Sequence, residues 1–104
     1  MYNKLVRDNI PDIIKNNGEE PIIEILDDEK YKIELEKKLL EECNEVLNSS
    51  GNDRIEELSD LLEVMISLAN LENKNLDDIE KVRIDKKNKR GGFTKKIYLK
   101  GVRE

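Results

Sequence analysis

The chain contains 104 residues, of which 41% are charged and 37% are hydrophobic, and its formal net charge is −5 at pH 7. This length predicts one domain over residues 1–104, because domains commonly contain about 100–200 residues. No stretch approaches the ~20 apolar residues of a membrane-spanning helix, and the first residues are too polar for a secretory signal. We therefore expect a cytoplasmic protein that does not contact a membrane.

Charge is distributed unevenly along the chain. Residues 1–80 contain 9 Lys and Arg against 22 Asp and Glu, whereas residues 81–104 contain 10 against 2. An acidic body with a basic end suits a ligand in which a cation is bound to phosphates, although an ordinary solvated segment has the same composition. The small apolar fraction leaves a monomer with a thin core, so we expect a homo-oligomer, a dimer or larger.

A short helix and a short strand are predicted at the start of the chain. Pro11 occupies a position typical of the first helical turn, and Gly18 occupies one typical of a left-handed cap, which predicts a helix between them. Residues 21–26 are rich in isoleucine and bounded by turn-forming residues, which predicts a strand.

Two longer amphipathic helices are predicted next. The first is capped by Asp27 or Asp28 and ends near residue 48, before a polar loop. The second is capped by Asp53 and covers approximately residues 54–73. Its apolar residues occupy more than half of the circumference, which predicts burial between its own domain and a partner subunit.

A fourth helix and a second strand complete the predicted fold. The helix begins after Leu76 with Asp77 or Asp78 as its cap and ends near Arg90, where two glycines stop it. Residues 93–102 alternate apolar and polar side chains and could pair with residues 22–26. The predicted fold class is mainly all-α, a bundle of about four helices, with the two-stranded element as an optional addition.

The chain has one cysteine and no histidine. Cys43 therefore cannot form an intramolecular disulfide, and the chain has neither the ligands for a zinc site nor a cysteine–histidine nucleophile. We interpret Cys43 as a small packing residue in the second helix.

Two short acidic motifs, EECNE at residues 41–45 and ELSD at residues 57–60, lie in the second and third predicted helices. Residues three apart on a helix share a face, so each motif contributes a pair of carboxylates to one face. The pairs are Glu42 with Glu45 and Glu57 with Asp60. Antiparallel packing of the two helices would bring the pairs together, and oxygen ligands without imidazole or thiolate favour Mg²⁺ or Mn²⁺.

A chain with 24 Asp and Glu residues produces such spacings by chance, so spacing alone is a weak signal. The positions of the acids on their helices strengthen the interpretation. Glu57 aligns with Leu61, Val64 and Leu68 on the apolar arc, where an unpaired charge is unfavourable. Salt bridges, protonation or a metal ion could each explain acids at such positions. The third helix offers only Arg54 as a base, so a metal ion is the favoured explanation.

The order of these motifs resembles the MazG-like all-α nucleotide pyrophosphohydrolases, whose signature is Glu-Glu-x-x-Glu followed by Glu-x-x-Asp on the next helix. Residues 4–14 (KLVRDNIPDII) and 85–93 (DKKNKRGGF) resemble the opening and closing blocks of a small branch related to phosphoribosyl-ATP pyrophosphohydrolase. Asn9 departs from that branch, in which a lysine is more usual. The resemblance covers nearly the whole chain.

The resemblance implies a Mg²⁺-dependent enzyme that cleaves a nucleoside triphosphate between its α and β phosphates, giving a nucleoside monophosphate and pyrophosphate. Four carboxylates would hold the metal: Glu42, Glu45, Glu57 and Asp60. Two of the motif acids, Glu41 and Glu45, would act in catalysis. Glu41 would bind a second ion or orient water, and a carboxylate not fully used by the metal would accept the proton of the attacking water. Three bases are candidates to neutralise the outer phosphates: Lys86, Lys87 and Arg90.

Three alternative functions remain open at this stage. The chain could be a non-catalytic helical module that assembles through the third helix, or a phosphoribosyl-ATP pyrophosphohydrolase of histidine biosynthesis rather than an enzyme that clears the nucleotide pool. A nucleic-acid binder is disfavoured, since the body is acidic and only Phe93 and Tyr98 could provide stacking surfaces near the basic end.

Overall fold

A computed structural model of the chain describes residues 3–104, which contain four helices and no strand. The helices are α1 (Ile10–Asn16), α2 (Asp28–Leu47), α3 (Gly51–Leu71) and α4 (Leu76–Arg90). Three residues separate α2 from α3, and so short a connection makes the two long helices an antiparallel pair. The prediction of an all-α fold with four helices is confirmed.

The helix ends follow the glycine and capping signals of the sequence in most places. Gly18 has φ +85° and its N–H donates to the Lys15 carbonyl at 3.0 Å, closing α1. Gly91 has φ +84° and closes α4 in the predicted place. The Asp27 side chain accepts from the backbone N–H of Lys30 at 2.8 Å, as predicted for the start of α2.

Two predicted N-caps are wrong. Helix α3 begins at Gly51 after Ser50, so Asp53 lies inside its first turn, where a carboxylate favourably meets the positive end of the helix dipole. Helix α4 is capped by Asn75, whose side chain accepts from the Asp78 N–H at 3.1 Å while Asp78 accepts from the Asn75 N–H at 2.8 Å. This reciprocal pair satisfies two backbone donors at once, which a cap by Asp77 or Asp78 alone would not do.

The two predicted strands, at residues 21–26 and 93–102, are also wrong for the single chain. Most of their side chains lie in solvent, with Ile22 99% and Leu99 76% exposed, while Pro21 and Leu26 are half-buried. A strand is stable only when a neighbour satisfies its backbone N–H and C=O groups. The described part of the chain brings no other strand beside either segment.

The core lies between α2 and α3 and is small. Leu35 of α2 and Val64 of α3 are the buried hydrophobic residues of the described chain, and Glu42 is buried beside them. Cys43 is free and half-buried. The radius of gyration is 18.3 Å and the longest extent is 65 Å, whereas a compact domain of this length would have a radius of about 13 Å. Among the four helices, α4 contacts only α3, which is consistent with this elongated shape.

None of the helices in residues 3–104 combines the length and the apolar composition that spanning a bilayer needs.

Candidate metal centre

Three carboxylates converge between the two long helices. Glu42 of α2 and Glu57 and Asp60 of α3 each offer an oxygen, and these oxygens lie within 4.8 Å of one another. Glu42 is 8% exposed, and Glu57 and Asp60 are half-buried. We call Glu42, Glu57 and Asp60 the carboxylate cluster.

The core packing of α2 against α3 explains this convergence. Leu35 precedes Glu42 by seven residues, about two helical turns, so both side chains lie on the same face of α2. Val64 follows Asp60 by four residues and Glu57 by seven, which places all three on one face of α3. Burying Leu35 against Val64 therefore draws the carboxylates of both helices together.

Glu45 lies beside the carboxylate cluster rather than within it. Its side chain is exposed, and it is absent from the group of oxygens that converge within 4.8 Å. It is nevertheless near enough to act electrostatically on Glu57. Of the four predicted metal ligands, the structure thus brings three together and leaves the fourth at the solvent side.

Loss of hydration and repulsion among the carboxylates both act on the pKa of Glu57. Loss of hydration raises the pKa of the Glu57 carboxyl above its usual value of 4.5, and repulsion from Glu45, Asp60 and Glu42 raises it further. Neither Glu57 nor Glu45 forms an ion pair with any described residue. A cation bound among these carboxylates would relieve that repulsion.

Two basic residues adjoin the cluster. Arg7 donates through Nη2 to Asp60 Oδ1 at 2.7 Å, and Lys38 Nζ lies 3.6 Å from Glu42 Oε1. Sequence reasoning did not select Lys38, although its i,i+4 spacing to Glu42 was a usable signal. Arg7 and Asp60 are 53 residues apart in the sequence, and no pattern near either residue predicts that they pair.

Glu41, the predicted catalytic helper, lies outside the carboxylate cluster and forms ion pairs with two lysines. Its Oε1 lies 3.8 Å from Lys4 Nζ and 3.6 Å from Lys38 Nζ. Lys38 therefore bridges Glu41 and Glu42, and the pairing of Glu41 with Lys4 links the acidic motif to the segment that precedes α1.

An open cleft of about 600 Å³ adjoins the carboxylate cluster. Residues 5–10 and Ile13 form one wall, and the facing sides of α2 and α3 form the other. The lining residues from these two helices are Tyr31, Leu35, Lys38, Glu42, Asp60, Glu63, Val64 and Ser67. The cleft thus combines apolar surface, two bases and two carboxylates of the cluster, a composition suited to a polar ligand with a flat apolar part.

The predicted phosphate-binding residues are absent from the lining of this cleft. Lys86, Lys87 and Arg90 are exposed on α4, and Arg90 borders a second depression of about 370 Å³ with residues 91–97. The bases that the single chain brings to the cleft are Arg7 and Lys38. A phosphate-binding role for the α4 residues stays a prediction.

The donor set fits a hard divalent cation. Mg²⁺ binds oxygen at about 2.0–2.1 Å, so two of its ligand oxygens lie at most about 4.2 Å apart. The three carboxylates, with oxygens within 4.8 Å of one another, need only small side-chain rotations to reach that spacing. The cluster contains no sulfur or nitrogen ligand, which disfavours zinc and copper.

Comparison of the chain with models of known protein families, with curated proteins and with solved structures gives no match.

Proposed function

We propose that the protein is a Mg²⁺-dependent nucleoside triphosphate pyrophosphohydrolase that cleaves between the α and β phosphates. The observation that carries this proposal is the convergence of Glu42, Glu57 and Asp60 beside an open cleft. These three residues come from both acidic motifs on which the family resemblance rests. Mn²⁺ could replace Mg²⁺, since both prefer oxygen ligands.

Each acid has a proposed task. Glu42, Glu57 and Asp60 would hold the ion, which when bound polarises phosphoryl oxygens and lowers the pKa of coordinated water. Glu45 is exposed beside the cluster and unpaired, so its carboxylate is free to accept a proton from the attacking water. Glu41 would orient water or bind a second ion, and it lies within 4 Å of the ammonium groups of Lys4 and Lys38.

The cleft supplies groups that suit the rest of a nucleotide. Arg7 pairs with Asp60 and Lys38 pairs with Glu42. If these two acids bound a metal ion instead, both bases would become available to phosphate oxygens. Tyr31 is the aromatic side chain among the lining residues, and a nucleobase could stack on it. Lys86, Lys87 and Arg90 would reach the phosphates only from another copy or after movement of α4.

We also propose that the enzyme is a cytoplasmic homo-oligomer. Helix α3 exposes an apolar stripe with side chains three or four residues apart: Ile55, Leu58, Leu62 and Met65. A second copy packing on this stripe would supply the core that a single chain lacks.

The test is release of pyrophosphate from a panel of nucleoside triphosphates, with deoxy and damaged nucleotides and phosphoribosyl-ATP included. Activity should require Mg²⁺ and disappear with chelator and in Glu57→Gln. Glu36→Gln is the matched control, because Glu36 is an exposed acid of α2 outside the cluster and free of ion pairs with described residues. Activity with phosphoribosyl-ATP alone would favour the biosynthetic alternative.

The second candidate function is a non-catalytic assembly module, which the exposed stripe on α3 favours. Such a module would associate without releasing pyrophosphate at any metal concentration. Association that survives in Glu57→Gln, with no activity in the wild-type protein, would select this candidate.

A further inference from the structure

Two extended segments of the chain have unpaired backbone groups. Residues 20–26 precede α2 and residues 97–104 follow α4, and neither segment makes a backbone hydrogen bond with any described residue. Most of their apolar side chains are exposed, for example Ile22 at 99% and Ile97 at 79%, whereas Pro21 and Leu26 are half-buried. Such segments are templates for pairing with another strand.

The two segments are complementary in charge. Around the first lie four acids: Glu19, Glu20, Glu24 and Asp27. Around the second lie four bases: Lys95, Lys96, Lys100 and Arg103. The only ion pair that any of these residues forms with a described residue is between Glu24 and Lys30, at a long 4.0 Å. Opposite charges on neighbouring strands stabilise pairing, whereas two copies of the same segment would repel.

Two apolar residues of each segment follow the two-residue period of a strand, whereas Ile22, Leu26 and Val102 fall on the opposite side. Ile23 and Ile25 share one side of an extended chain, and Ile97 and Leu99 share one side of the other. Pairing would bring these four side chains onto a common face. It would also place Glu24 on the same face as Lys96 or Lys100, opposite to that apolar face.

We propose that residues 21–26 of one copy pair with residues 97–102 of a second copy, and reciprocally, in a two-stranded ladder exchanged between subunits. The single chain leaves both segments solvated, and α4, with 15 residues, spans about 22 Å between the body and the second segment. Reciprocal exchange pairs the backbone N–H and C=O groups of both segments in both copies, and a two-fold dimer makes the same contact twice. This inference is independent of the proposed enzymatic activity.

The first test reverses charge. Lys95, Lys96 and Lys100→Glu together should weaken self-association about tenfold, because these substitutions place like charges within and beside the ladder, where they repel the acids of the other segment. Lys32, Lys74 and Lys81→Glu is the matched control, since these lysines are exposed elsewhere and form no ion pair with described residues. Sedimentation velocity over a concentration series measures the association.

Rescue completes the charge test. Adding Glu19, Glu20 and Glu24→Lys to the weakened variant should restore association, whereas a general loss of folding would not be repaired by three further substitutions. Equal weakening in the control, or no rescue, would overturn the proposal. A wild-type chain that stays monomeric at every concentration would overturn it as well.

The second test distinguishes exchange between copies from pairing within one chain. In a Cys43→Ser background, Ile23→Cys is placed in a chain with one tag and Leu99→Cys in a chain with another, and the two are co-expressed and oxidised. The proposal predicts a disulfide-linked product that carries both tags. Absence of that product, together with an internal disulfide when one chain carries both cysteines, would show pairing within the chain and overturn the proposal.

Discussion

Arg7 donates a hydrogen bond of 2.7 Å to Asp60, across 53 residues of sequence. This contact joins the segment before α1 to the α3 part of the carboxylate cluster, in the wall of the cleft. The guanidinium partly neutralises a carboxylate that the proposed cation would also bind. Arg7 and the cation therefore compete for Asp60, and the competition can be measured.

We expect Arg7→Ala to affect cation and nucleotide binding in opposite directions. Removing a competitor for Asp60 should leave Mg²⁺ affinity unchanged or increase it, while loss of a phosphate contact should weaken binding of a non-hydrolysable triphosphate analogue about tenfold or more. Titration calorimetry with each ligand measures both effects.

Arg83→Ala is the matched control for this experiment. Arg83 also pairs with a carboxylate at 2.7 Å, that of Glu80, but lies on α4 outside the cleft. A parallel loss of cation and nucleotide binding in Arg7→Ala would instead assign Arg7 a purely structural role in holding Asp60.

Replacing Glu57 should stabilise the protein in the absence of metal. Because the pKa of Glu57 is raised in the folded state, the folded protein binds a proton there more tightly than the unfolded chain does. Stability is therefore lost as pH rises from below 4.5 through the raised pKa, and Glu57→Gln removes this loss. The Tm difference between Glu57→Gln and wild type, measured with chelator, should grow as pH rises through this range and stay constant above it.

With Mg²⁺, the wild-type protein should become more stable than Glu57→Gln. A cation that binds only the folded state raises the Tm of the wild-type protein but not that of Glu57→Gln. Glu56→Gln, next to Glu57 on α3 and outside the carboxylate cluster, should retain the response to Mg²⁺. If the wild-type Tm is unaffected by millimolar Mg²⁺, the cluster does not bind the ion at useful affinity.

Lys38→Met should destabilise the protein without metal. Glu42 is buried, and Lys38, whose side chain is 19% exposed, is the base within 4 Å of it in the described chain. Leaving a buried carboxylate without its partner costs on the order of 1–3 kcal/mol. Lys37→Met is the control, because Lys37 is 70% exposed and its pair with Glu34 should contribute little. Urea unfolding measures both, and equal losses would contradict a special role for Lys38.

Tyr31→Ala should weaken nucleotide binding while sparing cation binding. Stacking of a base on an aromatic side chain contributes about 1–3 kcal/mol, so KM should rise by about tenfold or more. Tyr31→Phe retains the ring and should behave as wild type. A Tyr31→Ala variant with an unchanged KM would place the base elsewhere than against this ring.

The sequence indicated the fold class and the positions of the acids because both depend on local periodicity. Leu35 and Glu42 share a helix face by spacing alone, as do Val64 and Asp60, so the burial of the two apolar residues brought the two acids together. The Gly18 and Gly91 caps were likewise readable, because positive φ favours glycine.

The contacts that depend on distant parts of the chain could not be predicted in this way. The approach of Arg7 to Asp60 depends on how the segment before α1 lies across the helix pair, which no local pattern specifies. The isoleucine content of residues 21–26 and the alternation of residues 93–102 indicated strands, but a strand also needs a neighbour, and the single chain provides none in its described part.

Binding of Mn²⁺, followed by the loss of the free-ion signal in electron paramagnetic resonance, tests most directly whether Glu42, Glu57 and Asp60 form a cation site. We predict saturable binding by the wild-type protein and by Glu36→Gln, competition by Mg²⁺, and loss of binding in Glu57→Gln and Asp60→Asn. Wild-type protein that leaves the free Mn²⁺ signal unchanged, or cluster variants that bind as well as Glu36→Gln, would contradict the account.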